Sequence, residues 1–280
     1  MRCLKDELEN IPTGIVDTSI LESAKNIAAA RISELAKKEK FHHFNLRKLR
    51  SFKEREAIID FYGGLFDGVP QETRSLLVFI YWLHDIGFCD TGINNEHGRA
   101  AVKLLREWGV TGLFEDKVRQ AIEYAIEYHC QPQLPQPESS ELKDTFARVL
   151  RDWDKLGGFV YKSDGWLFDE NAKAKEAEYC HAAGETGAIK PANILEEFQK
   201  LGYIDKKHVV DNNASYEAII LLYLAWIFDV NYRETLEVLI NLKIPDKFFK
   251  YFKKQLGQES SQFQIINNTF KKFLKHSHLN

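Results

Sequence analysis

The chain has 280 residues, of which 44% are hydrophobic and 28% charged, with a formal net charge of −3. That length is enough for a sizeable core and for one large or two modest domains. The near-neutral balance excludes a global basic field of the kind that draws nucleic acid, and no apolar run approaches the roughly 20 residues that span a bilayer.

The longest apolar stretch, Ala218 to Phe228, is about half a membrane span. Met1 to Glu9 has no apolar segment of signal-peptide type, so the expected compartment is the cytoplasm. Cys3, Cys89, Cys130 and Cys180 are scattered and form no CxxC. This argues against a zinc ribbon or a disulfide scaffold and predicts reduced, mostly buried thiols.

Apolar residues recur at helical spacing from end to end. Ile20 to Lys37 carries Ile20, Ala24, Ile27, Ala28, Ile32 and Ala36 on one stripe. Leu46 to Phe66 continues the pattern, until Gly63-Gly64 and Asp67 to Pro70 break it. Glu72 to Leu83 becomes apolar toward its end and predicts a central buried helix. Glu96 to Trp108 is a further helix, with Gly109 placed to cap its C-terminus. Glu115 to Tyr128 has Val118, Ile122, Ala125 and Ile126 on one side. Gln131 to Pro137 predicts an extended loop, because each proline disfavours helix in the residue before it. Glu141 to Leu156 is helical again, closed by Gly157-Gly158, a candidate domain boundary.

Beyond a looser stretch from Phe159 to Pro191, helices are expected near Asn193 to Leu201, Ser215 to Asp229, Tyr232 to Leu242, Pro245 to Leu256 and Ser261 to Lys275. No segment alternates with period two between hairpin turns. The fold class is therefore all-α: a motif-bearing helical domain over 1–160, its core at 20–160, and a C-terminal helical extension over 161–280 packed on it.

The residues that carry chemistry fall at or near predicted helix ends. His84-Asp85 closes the apolar run Ser75 to Leu83. Burying an imidazole and a carboxylate costs several kcal/mol unless something compensates, and both are good ligands for a divalent metal. A turn that caps a core helix is the plain alternative. Upstream, His42 and His43 begin a helix whose inward face is set by Leu46 and Leu49; the spacing favours His42, and either can reach the pair. His97 starts one helix and His129 ends another; each by itself also reads as an ordinary helix-end histidine. Asp154 follows Leu150 by four positions on an apolar helix, with Asp152 competing for the same inward role.

The order His, His-Asp, Asp resembles the HD-domain superfamily of metal-dependent phosphohydrolases, and the local contexts match as well. Trp82-Leu-His-Asp-Ile-Gly87 looks like that family's LLHDIG segment, and Glu96 to Leu105 like its following "H…GA…LL" helix. Ala125 to His129 is similar to its "AI…H" helix end. Asp152-Trp-Asp-Lys-Leu156 resembles DADKL, with Trp153 for the usual alanine. The resemblance covers residues 20–160. It implies an HD-domain helical bundle and metal ligands at His42 or His43, His84, Asp85 and Asp154. In two-metal members histidines are added at the places of His97 and His129, and Asp85 would bridge the ions. The implied cofactor is one or two divalent ions, of manganese, iron, magnesium, nickel or zinc.

The resemblance further implies hydrolysis of a phosphate ester or anhydride in a small phosphorylated molecule, a nucleotide or dinucleotide. Enzymes of the family that cleave cyclic di-GMP have a His-His pair and "HDIGK". Here Cys130 follows His129 and Phe88 takes the lysine's place, a departure from that activity. Hydrolases of symmetric dinucleoside tetraphosphates need neither feature. Another subgroup has an Asn-Glu pair like Asn95-Glu96, in which His97 stands behind the ligands. Asp85 is suited to orient the attacking water. Arg99, Lys103 and Lys155 lie near the proposed ligands in sequence and are candidates to meet phosphate charge, with Arg99 and Lys155 preferred; each by itself also reads as a solvated helix-face charge.

Two other classes remain open: a non-catalytic helical sensor or scaffold of the same fold, and a di-iron oxygenase. From Lys243 to Lys275, lysines alternate with Phe248, Phe249, Tyr251, Phe252, Phe263, Phe270 and Phe273. This reads as an amphipathic helical pair with aromatics inward and lysines solvated, in preference to a nucleic-acid or membrane surface. Ser215 to Leu242 resembles a helical extension of some bacterial HD proteins. A homo-oligomer is left open.

Overall fold

A computed structural model describes residues 1–37, 51–88, 96–131, 134–135, 141–163, 166–169, 171, 187–200, 204, 209 and 214–277. The described residues are helices and connections, with no strand; Arg2 and Tyr232 form an isolated bridge. The all-α expectation is met. The chain divides into two compact units, one of Cys3–Asp154 and one of Met1–Arg2 with Lys155–Asn280.

The N-terminal unit contains α1 (Leu4–Glu9), α2 (Thr18–Ala36), α3 (Phe52–Glu56), a 3-10 segment (Ile59–Phe66), α4 (Gln71–Leu83), α5 (His97–Glu107), α6 (Asp116–Tyr128) and the start of α7 (Glu141–Ser163). The helical pattern expected from Leu46 to Phe66 is, over its described part, α3 followed by the 3-10 segment. Gly63, at φ 55°, breaks the pattern where the sequence marks it, since left-handed backbone ends a regular helix. The short α1 carries only Leu4 and Leu8 as buried anchors, too brief a pattern to read as periodic.

Helix starts follow their capping chemistry. The Asp17 carboxylate accepts from Ser19 N–H at 2.6 Å at the head of α2. Ser51 and Glu54 form a reciprocal capping box on α3, which satisfies two orphan donors at once. Every residue from Leu76 to Leu83 is buried, so α4 is the central helix, as an all-round apolar helix must be. It packs against α2, α3 and α6, and α5 packs against α6.

Gly109, at φ 73°, ends α5 as its position implies. Its N–H donates to the Arg106 carbonyl and the Val110 N–H to Leu105, both at 2.9 Å. This is the paired closure of a left-handed helix cap.

Two other glycines set close approaches. A Cβ on Gly87 would lie 1.8 Å from the His97 carbonyl oxygen, and one on Gly98 would lie 2.5 Å from that of Glu127. Only hydrogen fits at either position. The turn after α4 therefore sits on the first turn of α5, and α5 on the end of α6.

Gly157-Gly158 does not close α7, which runs through both to Ser163. A helical glycine costs about 1 kcal/mol against alanine. The fully buried Phe159, with its ring on Trp226 and Phe248 (centroids 6.3 and 5.9 Å), outweighs that cost within the C-terminal unit.

The C-terminal unit continues with α8 (Ala192–Gln199), α9 (Tyr216–Ala225) and its 3-10 extension (Trp226–Asp229), α10 (Arg233–Asn241), α11 (Ile244–Leu256) and α12 (Ser261–His276). All of α9 is buried. Phe248, Tyr251, Phe252, Phe263, Phe270 and Phe273 are buried along α11 and α12, while Lys250, Lys253, Lys254, Lys271, Lys272 and Lys275 are exposed. The aromatics form this unit's core and the lysines its solvated face. Among the described residues no helix is long and apolar enough to cross a membrane.

Candidate metal centre

The end of α4 is built to aim one nitrogen. His84 is fully buried, and its ring lies parallel to that of Tyr81 at 5.3 Å. Its Nδ1 donates to the Tyr81 carbonyl oxygen at 2.6 Å. That carbonyl, three residues back, is one of those a helix end leaves without an intrahelical partner. With Nδ1 spent there, Nε2 points out of the helix end, 3.2 Å from Asp154 Oδ1 and 3.3 Å from Asp85 Oδ2.

The end of α6 repeats the device. His129 Nδ1 donates to the Ile126 carbonyl oxygen, again three residues back, at 2.7 Å. Its Nε2 lies 2.8 Å from His97 Nε2 and 3.9 Å from Asp85 Oδ1. His97, at the first turn of α5, reaches the same Asp85 oxygen at 3.5 Å, and its ring stacks on Phe88 with centroids 4.0 Å apart. Asp85 thus presents Oδ2 to His84 and Oδ1 to the His97–His129 pair.

Burial alone pushes the His84 imidazole toward its neutral form. Asp85 and Asp154 outweigh it, so its pKa is raised from 6.5 to about 9. His129 goes the other way: burial first, then the charges of His84 and His97, lower it to about 3. Burial would raise Asp154, but the hydrogen bond and charge of His84 hold its carboxyl below the usual range.

This donor set fits a divalent metal. Two imidazoles have their Nδ1 hydrogens committed to carbonyl oxygens, which leaves each Nε2 to face acceptor atoms, carboxylate oxygens at His84 and the His97 nitrogen at His129. Lone pair against lone pair is repulsive unless a proton or a cation lies between. His84, Asp85 and His129 offer ligand atoms within 4.8 Å of one another, and so do His97, His129 and Cys130. Imidazole, carboxylate and thiolate are the donors of divalent transition-metal sites.

The structure brings together His84, Asp85, His97, His129 and Asp154. Asp154, not the fully buried Asp152, is the acid whose oxygen meets His84. The fully buried Trp153 anchors the helix beside it, against Phe66 and Tyr81. His42 and His43 lie outside the described residues.

The two proposed cations are placed elsewhere. Arg99 is 67% exposed at its side chain and pairs with Glu127 on the surface at 3.3 Å. Lys155 gives its ammonium to Asp229, to the carboxylate at 2.7 Å and the carbonyl at 2.5 Å. Lys103 pairs with Glu107 in the exposed face of α5.

Among the described residues, Arg55 on α3 places a cation beside the cluster. Its guanidinium lies over the Tyr81 ring at 4.5 Å and 3.9 Å from Asp85 Oδ2. It stands in the run Lys53-Glu-Arg-Glu, which by sequence reads as a solvated helix face. The buried Arg151 donates to the carbonyl oxygens of His129 and Gln131 and fixes the turn after α6. Cys130 was signalled only by its place next to His129.

No protein family, curated protein or solved structure matches the chain.

Proposed function

We propose that this chain is a metal-dependent phosphohydrolase that cleaves a phosphate ester or anhydride in a small phosphorylated molecule, a nucleotide or dinucleotide. The observation that carries the reading is the pair of helix-end histidines, His84 and His129. Each has Nδ1 tied to a carbonyl three residues back and Nε2 turned toward Asp85. The resemblance of the His84-Asp85, His97, His129 and Asp154 contexts to the HD superfamily supplies the reaction class.

One ion would be held by His84, Asp85 and Asp154, with His42 or His43 as the further candidate, and a second by Asp85, His97 and His129. An ion held there would supply polarisation of a phosphoryl oxygen and a lowered pKa for a bound water. Asp85, holding the centre of the cluster, accepts from the attacking water and turns it toward phosphorus. Arg55 sets a permanent positive charge beside it, where negative charge grows as the bond to the leaving oxygen breaks.

The test is metal analysis of the purified chain, followed by turnover under Mn²⁺, Mg²⁺, Fe²⁺, Ni²⁺ and Zn²⁺. The substrates are nucleoside mono-, di- and triphosphates and symmetric dinucleoside polyphosphates. Bound metal with turnover that Asp85→Ala abolishes is the expected result. A chain that binds no metal and turns over none of these refutes the proposal and leaves a helical sensor or scaffold. Iron-dependent oxygen consumption in place of hydrolysis assigns it to the oxygenases.

A further inference from the structure

The ligand sets above leave out a sulfur. His97, His129 and Cys130 offer three donor atoms within 4.8 Å of one another, and Cys130 is a thiol, in no disulfide. The two histidines are buried, and Cys130 is half-buried.

The backbone on both sides of Cys130 is clamped. Arg151, itself 5% exposed, donates to the carbonyl oxygens of the residues that flank it, His129 and Gln131. A turn held in this way orders both side chains that leave it, the His129 imidazole and the Cys130 thiol. The neighbouring carboxylate is already divided: Asp85 Oδ2 faces His84, and Oδ1 faces His97 and His129. His97, His129 and Cys130 thus supply two nitrogens and one sulfur, and Asp85 Oδ1, 3.5 Å from His97 Nε2 and 3.9 Å from His129 Nε2, stands beside the two nitrogens as a candidate fourth donor.

We infer that Cys130 is a thiolate ligand of a metal position formed with His97, His129 and Asp85, and that this position selects zinc, ferrous iron or cobalt over magnesium and calcium. On binding, the Sγ–H bond breaks, its proton passes to buffer, and the sulfur lone pair forms the bond to the ion. Sulfur favours borderline and soft ions, while magnesium and calcium take oxygen donors. The inference rests on the metal-dependent reading above and gives one of its two ion positions a chemical identity.

The test uses the full chain, stripped of metal by chelation and titrated anaerobically with Co²⁺ to two equivalents. The wild-type chain is expected to develop a near-ultraviolet sulfur-to-cobalt charge-transfer band together with visible ligand-field absorption. Cys130→Ser loses the charge-transfer band, keeps visible absorption and binds Zn²⁺ at least about 10-fold more weakly at this position. Cys3→Ser, Cys89→Ser and Cys180→Ser retain the band.

Independently of any variant, Zn²⁺ protects Cys130 of the wild-type chain from alkylation, as located by peptide mass spectrometry. Cobalt bound without the band, a band that persists in Cys130→Ser, or a thiol alkylated equally with and without Zn²⁺ overturns the thiolate ligand and leaves the phosphohydrolase reading standing. A chain that binds no cobalt overturns both.

Discussion

His97 Nε2 lies 2.8 Å from His129 Nε2, although one nitrogen comes from the first turn of α5 and the other from the residue after α6. With Nδ1 of His129 donating to Ile126, its Nε2 is an acceptor in the neutral ring, which lowering to about 3 favours. In the metal-free chain the hydrogen between the two nitrogens must come from His97. A metal ion held by this pair would take that hydrogen's place. His97→Ala is thus expected to bind one equivalent of metal fewer per chain than wild type, while the His84–Asp85–Asp154 set keeps its ion. Plasma mass spectrometry of the two proteins after identical metal loading reads this directly, and equal stoichiometry would remove His97 from the ligands.

The two pKa shifts have opposite consequences for pH stability. His84 has a folded pKa of about 9 against 6.5 unfolded. In the metal-free chain its stabilisation is complete below 6.5 and is lost as pH rises through 9. His129 has a folded pKa of about 3; between 6.5 and 3 the unfolded chain binds the extra proton, so stability falls as pH falls. The metal-free protein should melt highest near pH 6.5. Saturating Zn²⁺ is expected to flatten the alkaline arm, because an ion held by His84 would stand where its proton stood. Melting temperatures from pH 4 to 9, with and without metal, check this; a metal-free curve that stays level from 6.5 to 9 contradicts it.

Gly98 tests the helix contact that places His97. A Cβ there would lie 2.5 Å from the Glu127 carbonyl oxygen and 2.6 Å from that of Ile126. Both are backbone atoms, so α5 and α6 must part. Gly98→Ala is expected to cost about 1–3 kcal/mol, as overpacking of a tight contact does, and to weaken metal binding because His97 moves with its neighbour. Gly112, where a Cβ would meet nothing within 4 Å, is the control, with a change under about 0.5 kcal/mol. Urea denaturation of both variants reads the difference.

Why some of this was legible and some was not follows from range. His84, Asp85, His97 and His129 could be picked out because a donor at a helix end beside an apolar stripe leaves a local pattern; Asp154, inside α7 rather than at its end, was marked by its spacing of four from the apolar Leu150. Asp154 and Asp152 could not be separated, since both flank Trp153 and only its packing on Phe66 and Tyr81 sets the rotation of α7. The cation could not be found either. Proximity in sequence favoured Arg99 and Lys155, but helix geometry sends Arg99 to the surface, and Lys155 meets Asp229, 74 residues away. Arg55 reaches Asp85 by crossing Tyr81, a contact with no sequence period. The helix through Gly157-Gly158 was hidden because a partner distant in sequence, Trp226, decides it.

Arg55 yields a prediction separable from metal binding. Its guanidinium is buried, 3.9 Å from Asp85 Oδ2, and it is not a metal ligand. Arg55→Met keeps the aliphatic stem over Tyr81 and removes the charge. Metal content should stay at the wild-type level while kcat falls by about 100-fold, the scale of losing one charge-stabilising donor. Arg55→Lys recovers part of that loss. A variant with full kcat shows that the charge beside Asp85 is structural.

Lys155 should behave in the opposite way. Its ammonium is held by the Asp229 carboxylate at 2.7 Å and the Asp229 carbonyl at 2.5 Å, with only 10% of the side chain exposed. Lys155→Met removes both bonds and leaves the Asp229 carboxylate without that cation. Asp229 keeps 38% exposure, so water recovers part of the loss, and the expected cost is about 1–3 kcal/mol. The signature is a lower urea midpoint with an unchanged slope, and wild-type metal affinity and KM for the folded fraction. A raised KM with full stability would return Lys155 to the phosphate-binding role that its place next to Asp154 suggested.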